Sequence, residues 1–286
     1  MRTAIVTGGG AGIGRETARL LASTGYRVVV ADIDESSAQT VADEITTAGG
    51  RAHPYRLDVA SEAQWDKCAE WIRGEFGPAH VLINNAGVMD TGGFVETSAV
   101  QWQRTIDVDL MSVIYGSRVF ARQMIDAGIE GHIVNLSSGA AFFPAKYIPA
   151  YASAKAAVLM ASQALRVELR PKGIGVTAIC PGAVRTDLIA HGERAGLDAT
   201  QQAAWRAEAG RVQGLAFAKP DKVARIIERA IRRNPAIVPV NPEAWIGYGL
   251  FRLSPGLVRA VGSVGSLDLA DRLLSRVQPL LNRITR

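Results

Sequence analysis

Short apolar runs alternate along the chain with longer segments in which apolar residues recur every three or four positions. Several of the short runs are apolar throughout rather than alternating in polarity, which is typical of strands buried on both faces of a parallel sheet. We therefore predict a strand at each run. The runs are residues 4–6, 28–31, 52–57, 81–83, 133–136, 176–179 and 237–240.

The segments between these runs have the periodicity of helices that pack one face on a sheet. In 13–23, the residues available for an inner face are Ile13, Ala18, Leu21 and Ala22. In 153–169, they are Ala156, Ala157, Met160, Ala164 and Val167. Regular alternation of strands and helices predicts an α/β protein with a Rossmann-type, doubly wound parallel sheet, formed by a single domain over residues 1–240.

Residues 187–218 interrupt this alternation with a polar stretch rich in Ala and Gln. The stretch follows the end of a predicted strand, and ligands of doubly wound sheets bind beyond the carboxyl ends of the strands. We expect either a lid over a substrate or a helical surface insertion that makes no substrate contact.

Residues 241–286 extend beyond the last predicted strand and hold six Arg against three acidic residues. Apolar residues recur here at spacings of three and four, an amphipathic pattern that Pro279 interrupts. The extension could pack on its own domain or on a second subunit, cover a substrate pocket, or lie on an anionic membrane. The apolar positions are Leu267, Ala270, Leu274, Val277, Leu281 and Ile284.

Charge and cysteine content narrow the range of functions. Net charge is +5, but the Lys and Arg residues form no stripe with interleaved aromatic residues, so we expect no nucleic-acid partner. Cys68 and Cys180 lie far apart and outside any C-x-x-C motif, which predicts neither a disulfide scaffold nor a metal site. The chain enters its first strand at once and has no apolar run of 18 residues, so we expect a cytoplasmic protein.

The junction of the first strand and first helix is rich in glycine, with Gly8, Gly12 and Gly14 in a Gly-x-x-x-Gly-x-Gly pattern. Glycine permits positive φ and lets a phosphate approach the backbone closely. The N-terminus of the following helix attracts anions through its N–H groups and its dipole. A tight turn without a ligand would show the same glycines, but the position between a strand and a helix favours a dinucleotide site.

Asp32 ends the second predicted strand, 18 residues after Gly14. A carboxylate here can accept hydrogen bonds from the adenosine ribose hydroxyls, and it would repel the 2′-phosphate of NADP. No basic residue stands between Gly8 and Gly12 to offset that phosphate. The sequence therefore favours NAD. The alternative is that Asp32 caps the next helix, a task that Asp34 could share.

Tyr151 and Lys155 are four residues apart, so on a helix they share a face. The pKa of a free tyrosine is about 10, and a nearby ammonium lowers it toward the range useful for proton transfer. Such a pair by itself is also a common surface pair of helices. Ser138, 13 residues before Tyr151 at the end of a predicted strand, adds a hydroxyl that can hold a substrate oxygen.

These motifs, taken in order, resemble those of the short-chain dehydrogenase/reductase family. The resemblance covers about residues 1–240. The matching elements are 7–14, Asp32, Asp58 with Val59, 84–87, Ser138, Tyr151 with Lys155, and Pro181-Gly182 with Thr186.

The resemblance implies an NAD-dependent oxidoreductase that interconverts a secondary alcohol and a ketone, with Ser138, Tyr151, Lys155 and Asp109 as its catalytic residues. Lys155 would also hold the nicotinamide ribose, and backbone groups near Val184 and Thr186 would hold the carboxamide. The cofactor-binding residues would be Gly8, Gly10, Ala11, Gly12, Ile13, Gly14, Asp32, Ile33, Asp58, Val59, Asn85, Ala86, Gly87, Tyr151, Lys155, Pro181, Gly182, Val184 and Thr186. The substrate would contact Ser138, Ala140, Phe142, Tyr151 and Leu188.

Asp109 departs from the family pattern, which usually has an Asn that holds a water in a proton relay behind the lysine. An ionised Asp only accepts hydrogen bonds, and its charge near Lys155 would counter the lowering of the Tyr151 pKa. We expect either adequate substitution or a shifted pH optimum.

The residues around the predicted site indicate an apolar pocket and hence a lipophilic alcohol or ketone, although several of them could be core residues. Two other functions remain open: an NADPH-dependent carbonyl reductase, and a catalytically silent nucleotide-binding regulator. We expect a homodimer or homotetramer. The pocket candidates are Val88, Met89, Phe94, Ala140, Ala141, Phe142, Phe143, Ile148 and Leu188, with His191 either touching substrate or solvated.

Overall fold

A strand is present at each of the seven predicted runs. The protein is described as a computed structural model over residues 1–214, 218–254 and 256–258. All strand boundaries lie within two residues of the predicted ones. The strands are β1 (Thr3–Thr7), β2 (Arg27–Asp32), β3 (Arg51–Arg56), β4 (Val81–Asn84), β5 (Gly131–Leu136), β6 (Ile174–Pro181) and β7 (Ile237–Val240).

Helices connect these strands, and a π-helical turn, Asp107–Met111, joins the fourth and fifth helices. Short 3₁₀ turns follow β5 at Gly139–Phe142 and the sixth helix at Arg170–Lys172. The helices are α1 (Gly12–Ser23), α2 (Glu35–Thr47), α3 (Glu62–Phe76), α4 (Ala99–Ile106), α5 (Ser112–Asp126), α6 (Pro149–Leu169), α7 (Ala199–Gly214), α8 (Pro220–Arg233) and α9 (Pro242–Leu253).

The strands form one parallel sheet in the order β3-β2-β1-β4-β5-β6-β7. The chain first builds outward from β1 through β2 to β3, and then returns to the other side of β1 with β4. The predicted doubly wound, Rossmann-type fold is therefore confirmed. Its switch point lies between β1 and β4, where such folds bind their ligands at the carboxyl ends of the strands.

Apolar side chains of the central strands alternate between two cores, one on each face of the sheet. Ala4 and Val6 point into a core closed by α1, α2 and α8, whereas Ile5 points into a core closed by α3, α5 and the end of α6. The continuous apolar runs thus fill both layers at once, which is why they lack polar alternation.

The prediction of which side of α6 packs on the sheet is wrong. Met160 and Val167 are 67% and 78% exposed, whereas Val158, Leu159 and Ser162 face the sheet. The helix also begins at Pro149, four residues earlier than predicted, with proline in its first turn. Apolar residues occupy both sides of α6, so periodicity alone cannot identify the side that packs on the sheet.

The stretch after β6 folds back against the segment that follows β4. The Thr91 amide donates to the Glu193 carbonyl (2.7 Å), the Ala195 amide donates to the Thr91 carbonyl (2.8 Å), and buried Asp90 accepts from the Glu193 amide (2.8 Å). His191, which lies in this stretch before α7, is exposed, and α7 follows at Ala199–Gly214. Residues 215–217 of the predicted lid lie outside the described residues.

Helix α9 forms the first part of the C-terminal extension and packs on the body of the domain. The Tyr248 ring lies 5.3 Å from that of Phe142, and Gly247 lies against the ring of Phe143. The predicted amphipathic stripe from Leu267 to Ile284 lies outside the described residues. Within the described ranges, none of the helices is long and apolar enough to cross a membrane.

Candidate active site

The glycine-rich turn between β1 and α1 has the close backbone packing that its sequence predicts. Gly8 and Gly12 have positive φ (58° and 53°). A side chain on Gly14 would overlap the carbonyl oxygen of Gly8, and one on Gly10 would lie 2.6 Å from Ser37 Cβ. The turn therefore has no room for larger residues at Gly10 and Gly14, while the two positive-φ glycines set its path.

The N-terminus of α1 fits a phosphate group. Its N-cap residue, Ala11, supplies no side-chain hydrogen bond, so no cap side chain competes for the first N–H groups of the helix. The methyl carbon of Thr186 would lie 3.2 Å from a Cβ on Gly12, so Thr186 lies beside the start of α1. Ile13 continues from this turn into the wall of the large cavity described below. The turn and Thr186 together could enclose a pyrophosphate.

Asp32 stands at the end of β2 beside the turn. Its carboxylate accepts from the Gly10 amide (2.9 Å) and from the Asp34 amide (3.1 Å), and Ile33 beside it is 61% exposed. The cap of α2 is Asp34, which accepts from the amides of Ser36 and Ser37. Hydrogen bonds from Ser37 and Ser36 hold the pKa of Asp34 down at about 2. Because Asp34 caps the helix, the alternative role considered for Asp32 is not supported.

Side chains at the ends of β1 and β4 join the two strands at the switch point. The Thr7 hydroxyl accepts from the amides of Asn85 (3.0 Å) and Ala86 (3.1 Å), and Asn85 Nδ2 donates to the Thr7 carbonyl (2.9 Å). Beyond β3, Asp58 accepts from the Ala60 amide (3.0 Å), next to buried Val59. The predicted cofactor residues from these strands thus line one edge of the sheet.

A buried chain of polar side chains, which the sequence reasoning missed, fixes the helix that carries Tyr151. Asn84 Nδ2 donates to Ser117 (3.1 Å) and to Asn135 (2.8 Å), and Asn135 Nδ2 donates to Ser162 on α6 (2.9 Å). The contacts link α5, β4, β5 and α6 through the core. A signal existed, because Asn135 interrupts an otherwise apolar run.

Ser138, Tyr151 and Lys155 come together at the carboxyl end of β5. Ser138 lies two residues beyond the last residue of this strand, and hydrogen bonding by its hydroxyl lowers the pKa of the Tyr151 phenol. Lys155 Nζ lies 5.5 Å from the centroid of the Tyr151 ring. Neighbouring Ser137 donates to the Lys155 carbonyl (2.8 Å), which ties α6 to the strand end. The structure thus brings the three predicted residues into one cluster.

Asp109 joins this cluster through a buried ion pair. Its Oδ1 lies 3.0 Å from Lys155 Nζ and accepts from the Val88 amide (3.2 Å). A side chain on Gly87 would come within 2.6 Å of Oδ1, so the approach requires glycine there. Asp109 is fully buried in the π-helical turn, and its Oδ2 has no hydrogen-bond partner among the described residues. π-Helical turns of this kind often occur at functional sites.

Burial and charge act in opposite directions on these groups. Burial raises the pKa of Tyr151, Lys155 lowers it and Asp109 raises it, so that the net direction is upward. Burial lowers the pKa of Lys155, but Asp109 and Tyr151 raise it above its ordinary value. Burial raises the pKa of Asp109 against the opposing effect of Lys155. The expected lowering of the Tyr151 pKa by Lys155 is present but is outweighed.

The cluster opens into a cavity of about 1100 Å³. Pro181, Gly182, Val184 and Thr186 line it at the end of β6. Its apolar lining includes Ile13, Met89, Ala140, Phe143, Ile148, Leu188 and Ile189. These residues come from segments far apart in the chain, and most were among the predicted pocket candidates.

Phe142 was predicted to contact the substrate but lies outside this cavity. It is 1% exposed and packs against Tyr248 and Phe251 of α9, because the 3₁₀ turn after Ser138 directs it toward the helix. It lines a neighbouring groove of about 720 Å³ together with three other predicted pocket residues, Phe94, Ala141 and Phe143, the last of which also lines the cavity.

Three polar residues in the cavity wall were missed by the sequence reasoning. Lys222 comes from α8, Asn241 follows β7, and Glu243 lies in the first turn of α9. The sequence carried no signal for Asn241 and Glu243, since residues from 241 onward were interpreted as an extension of the domain. Lys222 belongs to no motif in the sequence that would distinguish it from a surface lysine.

The arrangement can transfer a proton to or from an oxygen atom in the cavity. The phenol of Tyr151 is the candidate acid or base, with the Lys155 ammonium 5.5 Å from its ring and with Ser138 in the same cavity wall. The cavity continues to Ile13 at the N-terminus of α1, and a helix N-terminus at this place in a doubly wound fold suits a nucleotide cofactor beside the reacting group.

Comparisons with known proteins agree with this geometry. The model of the family described as short chain dehydrogenase matches residues 2–195. Probable oxidoreductase EphD of Mycobacterium tuberculosis is 40% identical over 257 residues, which cover 89% of this chain and 43% of that protein. The chain thus spans less than half the length of that relative.

Two further proteins match over most of their own length. Cyclohexanol dehydrogenase of an Acinetobacter species is 36% identical over 195 residues, which cover 68% of this chain and 77% of that enzyme. The crystal structure of a short-chain dehydrogenase/reductase from Burkholderia phymatum in complex with NAD is 29% identical, with a TM-score of 0.82. The match covers 90% of this chain and 95% of that one.

Proposed function

The chain belongs to the short-chain dehydrogenase family, and on this premise we propose that it interconverts a secondary alcohol and a ketone by hydride transfer with NAD. The observation that carries the proposal is that Ser138 after β5 and Tyr151 and Lys155 on α6 line one large cavity, with Lys155 Nζ 5.5 Å from the Tyr151 ring. A protein that only bound the nucleotide would have no use for this proton-transfer group.

NAD is the cofactor that the residues around the β1–α1 turn fit. Asp32 presents its carboxylate where a ribose would lie, and it would repel a 2′-phosphate. Arg15, the first basic residue after the turn, is paired with Glu44 in two hydrogen bonds (2.7 and 3.1 Å), which would have to break before it could bind a 2′-phosphate. Separate titrations with NAD(H) and NADP(H) test this: tighter binding of NAD(H) is expected, and tighter binding of NADP(H) would contradict it.

The β1–α1 turn, Asp32 and Lys155 would hold the dinucleotide, which would supply the acceptor or donor of the hydride at the carbinol carbon. In the oxidation direction Tyr151, as tyrosinate, takes the hydroxyl proton, while Ser138 donates a hydrogen bond to the substrate oxygen. Lys155 favours the tyrosinate by its charge, and Asp109 holds Lys155 in place. Reduction of the ketone follows the same contacts in reverse, with the Tyr151 phenol as the acid.

A lipophilic alcohol or ketone fits the cavity best. Its wall is mainly aliphatic and aromatic, with Met89, Phe143, Ile148 and Leu188 on the segments that surround Tyr151. Burial of such a wall against a substrate favours apolar carbon skeletons. The cyclohexanol dehydrogenase relative acts, by its name, on an alcohol of this kind.

We also propose that the chain forms a homo-oligomer through the outward side of α6. Met160 and Val167 on this side are exposed, as is Val100 on α4. Exposed apolar side chains on adjacent helices fit a second copy of the chain. Sedimentation of the wild type and of Met160→Glu tests this; a wild-type monomer would contradict it.

The replacement of Tyr151 by Phe tests the function as a whole. We expect kcat/KM for an NAD-dependent alcohol oxidation to fall at least about a hundredfold, because the acid–base group is lost while the ring remains. The Kd for NAD should stay within about twofold. The matched control is Tyr115→Phe, because Tyr115 lies on α5 at the edge of the core that α3 and α5 close. Near-normal turnover by Tyr151→Phe would contradict the assignment.

A further inference from the structure

One part of the cavity wall is polar and is not explained by the cofactor or by proton transfer. Lys222, Asn241 and Glu243 line the same cavity as Ser138 and Tyr151 but belong to the last elements of the described chain. Lys222 and Glu243 are exposed, so they lie where the largely apolar cavity meets solvent, and a substrate that enters the cavity can reach them.

Glu243 is held by one backbone amide and one side-chain amide. Its Oε1 accepts from the Ala183 amide (3.2 Å) and from Asn241 Nδ2 (3.2 Å). The side chain lies flat on Gly182, where a Cβ would come within 2.7 Å of Glu243 Cδ. Both of its hydrogen bonds within the described ranges end on Oε1, which leaves Oε2 as an acceptor for a bound molecule.

Asn241 connects this carboxylate to the ammonium of Lys222. Its Oδ1 accepts from Lys222 Nζ (3.4 Å), and its Nδ2 donates to the Ala183 carbonyl (3.3 Å) as well as to Glu243. Asn241 is buried and has a φ of 79°, which is unfavourable for a residue other than glycine. Strained backbone of this kind occurs preferentially at functional sites.

The segment that carries Glu243 packs on the segment that carries Ser138. Gly139 follows Ser138 directly, and a Cβ on Gly139 would lie 3.5 Å from the Cβ of Ala244 and 3.3 Å from the Pro181 carbonyl. The residue after Ser138 therefore packs against the residue after Glu243. A substituent on a carbon near the carbinol could reach Glu243 while Ser138 and Tyr151 hold the substrate oxygen.

A neutral hydroxyl suits this pair of charges best. It can donate to the carboxylate and accept from the ammonium, whereas a substrate carboxylate would be repelled by Glu243 and a substrate ammonium by Lys222. We propose that Glu243, with Lys222, binds a second hydroxyl of the substrate, so that the protein prefers vicinal diols to the matching monoalcohols. The proposal rests on the alcohol dehydrogenase function proposed above.

Two matched pairs of alcohols test the subsite: 1,2-octanediol with 2-octanol, and 1,2-cyclohexanediol with cyclohexanol. The measured quantity is the ratio of kcat/KM for the diol to that for the monoalcohol. In the wild type the ratio should exceed one. In Glu243→Gln it should fall about fivefold, because a hydrogen bond to a charged acceptor becomes one to a neutral amide. The kcat/KM for the monoalcohol should stay within about twofold.

Glu228→Gln is the control, since Glu228 pairs with Arg232 on α8 and does not line the cavity. An unchanged ratio in Glu243→Gln, or an equal fall for diol and monoalcohol, would overturn the subsite and leave the proposed function standing, because Glu243 would then only hold the backbone. A wild type that oxidises none of the four alcohols with NAD or NADP would overturn the proposed function and the subsite together.

Discussion

Lys155 and Asp109 form a buried ion pair next to Tyr151. The 3.0 Å contact with Asp109 lies in a site from which water is almost excluded, since the two side chains are 4% and 0% exposed. Removal of charges from water is unfavourable, and a buried pair rarely adds net stability. The pair is better explained by positioning: Asp109 fixes the ammonium beside Tyr151, although it also brings a negative charge that opposes tyrosinate.

Replacement of Asp109 by Asn should move the pH dependence of oxidation to lower pH. Asp109 raises the pKa of Tyr151, so its loss lowers the pH at which the tyrosinate forms. Profiles of kcat/KM against pH should show the rising limb displaced toward acid. Asp107→Asn, two residues away in the same π-helical turn, should leave the profile in place. Superimposable curves for Asp109→Asn and wild type would exclude this role for the charge.

Among the elements, the turn between β1 and α1 is the one most constrained by its backbone. Gly14 lies in the first turn of α1 and faces the Gly8 carbonyl and Asn85 Nδ2, where no Cβ fits. Gly74 lies within α3, and a Cβ added to it would meet no atom within 4 Å. Both glycines lie in helices, but a larger side chain fits at Gly74 and not at Gly14.

Replacement of Gly14 by Ala should abolish NAD binding and destabilise the fold, because α1 must move away from the turn. Gly74→Ala should instead leave the Kd unchanged and raise the free energy of unfolding by up to about 1 kcal/mol, since alanine is the better helix former. Calorimetry for binding and urea unfolding for stability measure both. Tight NAD binding by Gly14→Ala would contradict the proposed phosphate site.

Helix α6 illustrates how far the sequence can predict an element and its site. The spacing of Tyr151 and Lys155 correctly indicated a shared helical face, because four residues make about one turn. The phase of the helix was wrong, since Met160 and Val167 are exposed. Polar Ser162 faces inward because it accepts a hydrogen bond from Asn135 on β5. The periodicity of one helix carries no information about a partner on another element.

At the scale of the whole molecule, the free energy of unfolding should depend on pH through His132. This buried residue of β5 lies against β6 and the end of α8. His132 Nε2 lies 3.0 Å from the Thr177 hydroxyl, which itself donates to the Pro235 carbonyl (2.6 Å). The single hydroxyl proton is thus in use, so His132 donates from Nε2. Burial, together with the charge of Arg166, lowers the pKa of His132 from 6.5 to about 4.

Because this pKa is depressed in the folded state, the unfolded chain binds the additional proton between pH 6.5 and about 4. The contribution of neutral His132 to stability is therefore complete above pH 6.5 and is lost as the pH falls, by up to about 3 kcal/mol. Urea unfolding of wild type and His132→Gln at several pH values measures it. The difference between the two free energies of unfolding should shrink toward pH 4; a constant difference would contradict the prediction.

The sequence by itself determined the fold, the tight glycine-rich turn after β1 and the Tyr151–Lys155 pair. These depend on local properties: continuous apolar runs mark strands buried on both faces, glycine alone fits the crowded turn, and helical spacing puts two side chains on one face. The tertiary structure decided which side of α6 is buried, that Phe142 faces α9, and that Glu243 reaches the cavity. Each depends on contacts between segments far apart in the chain, which no local pattern of residues records.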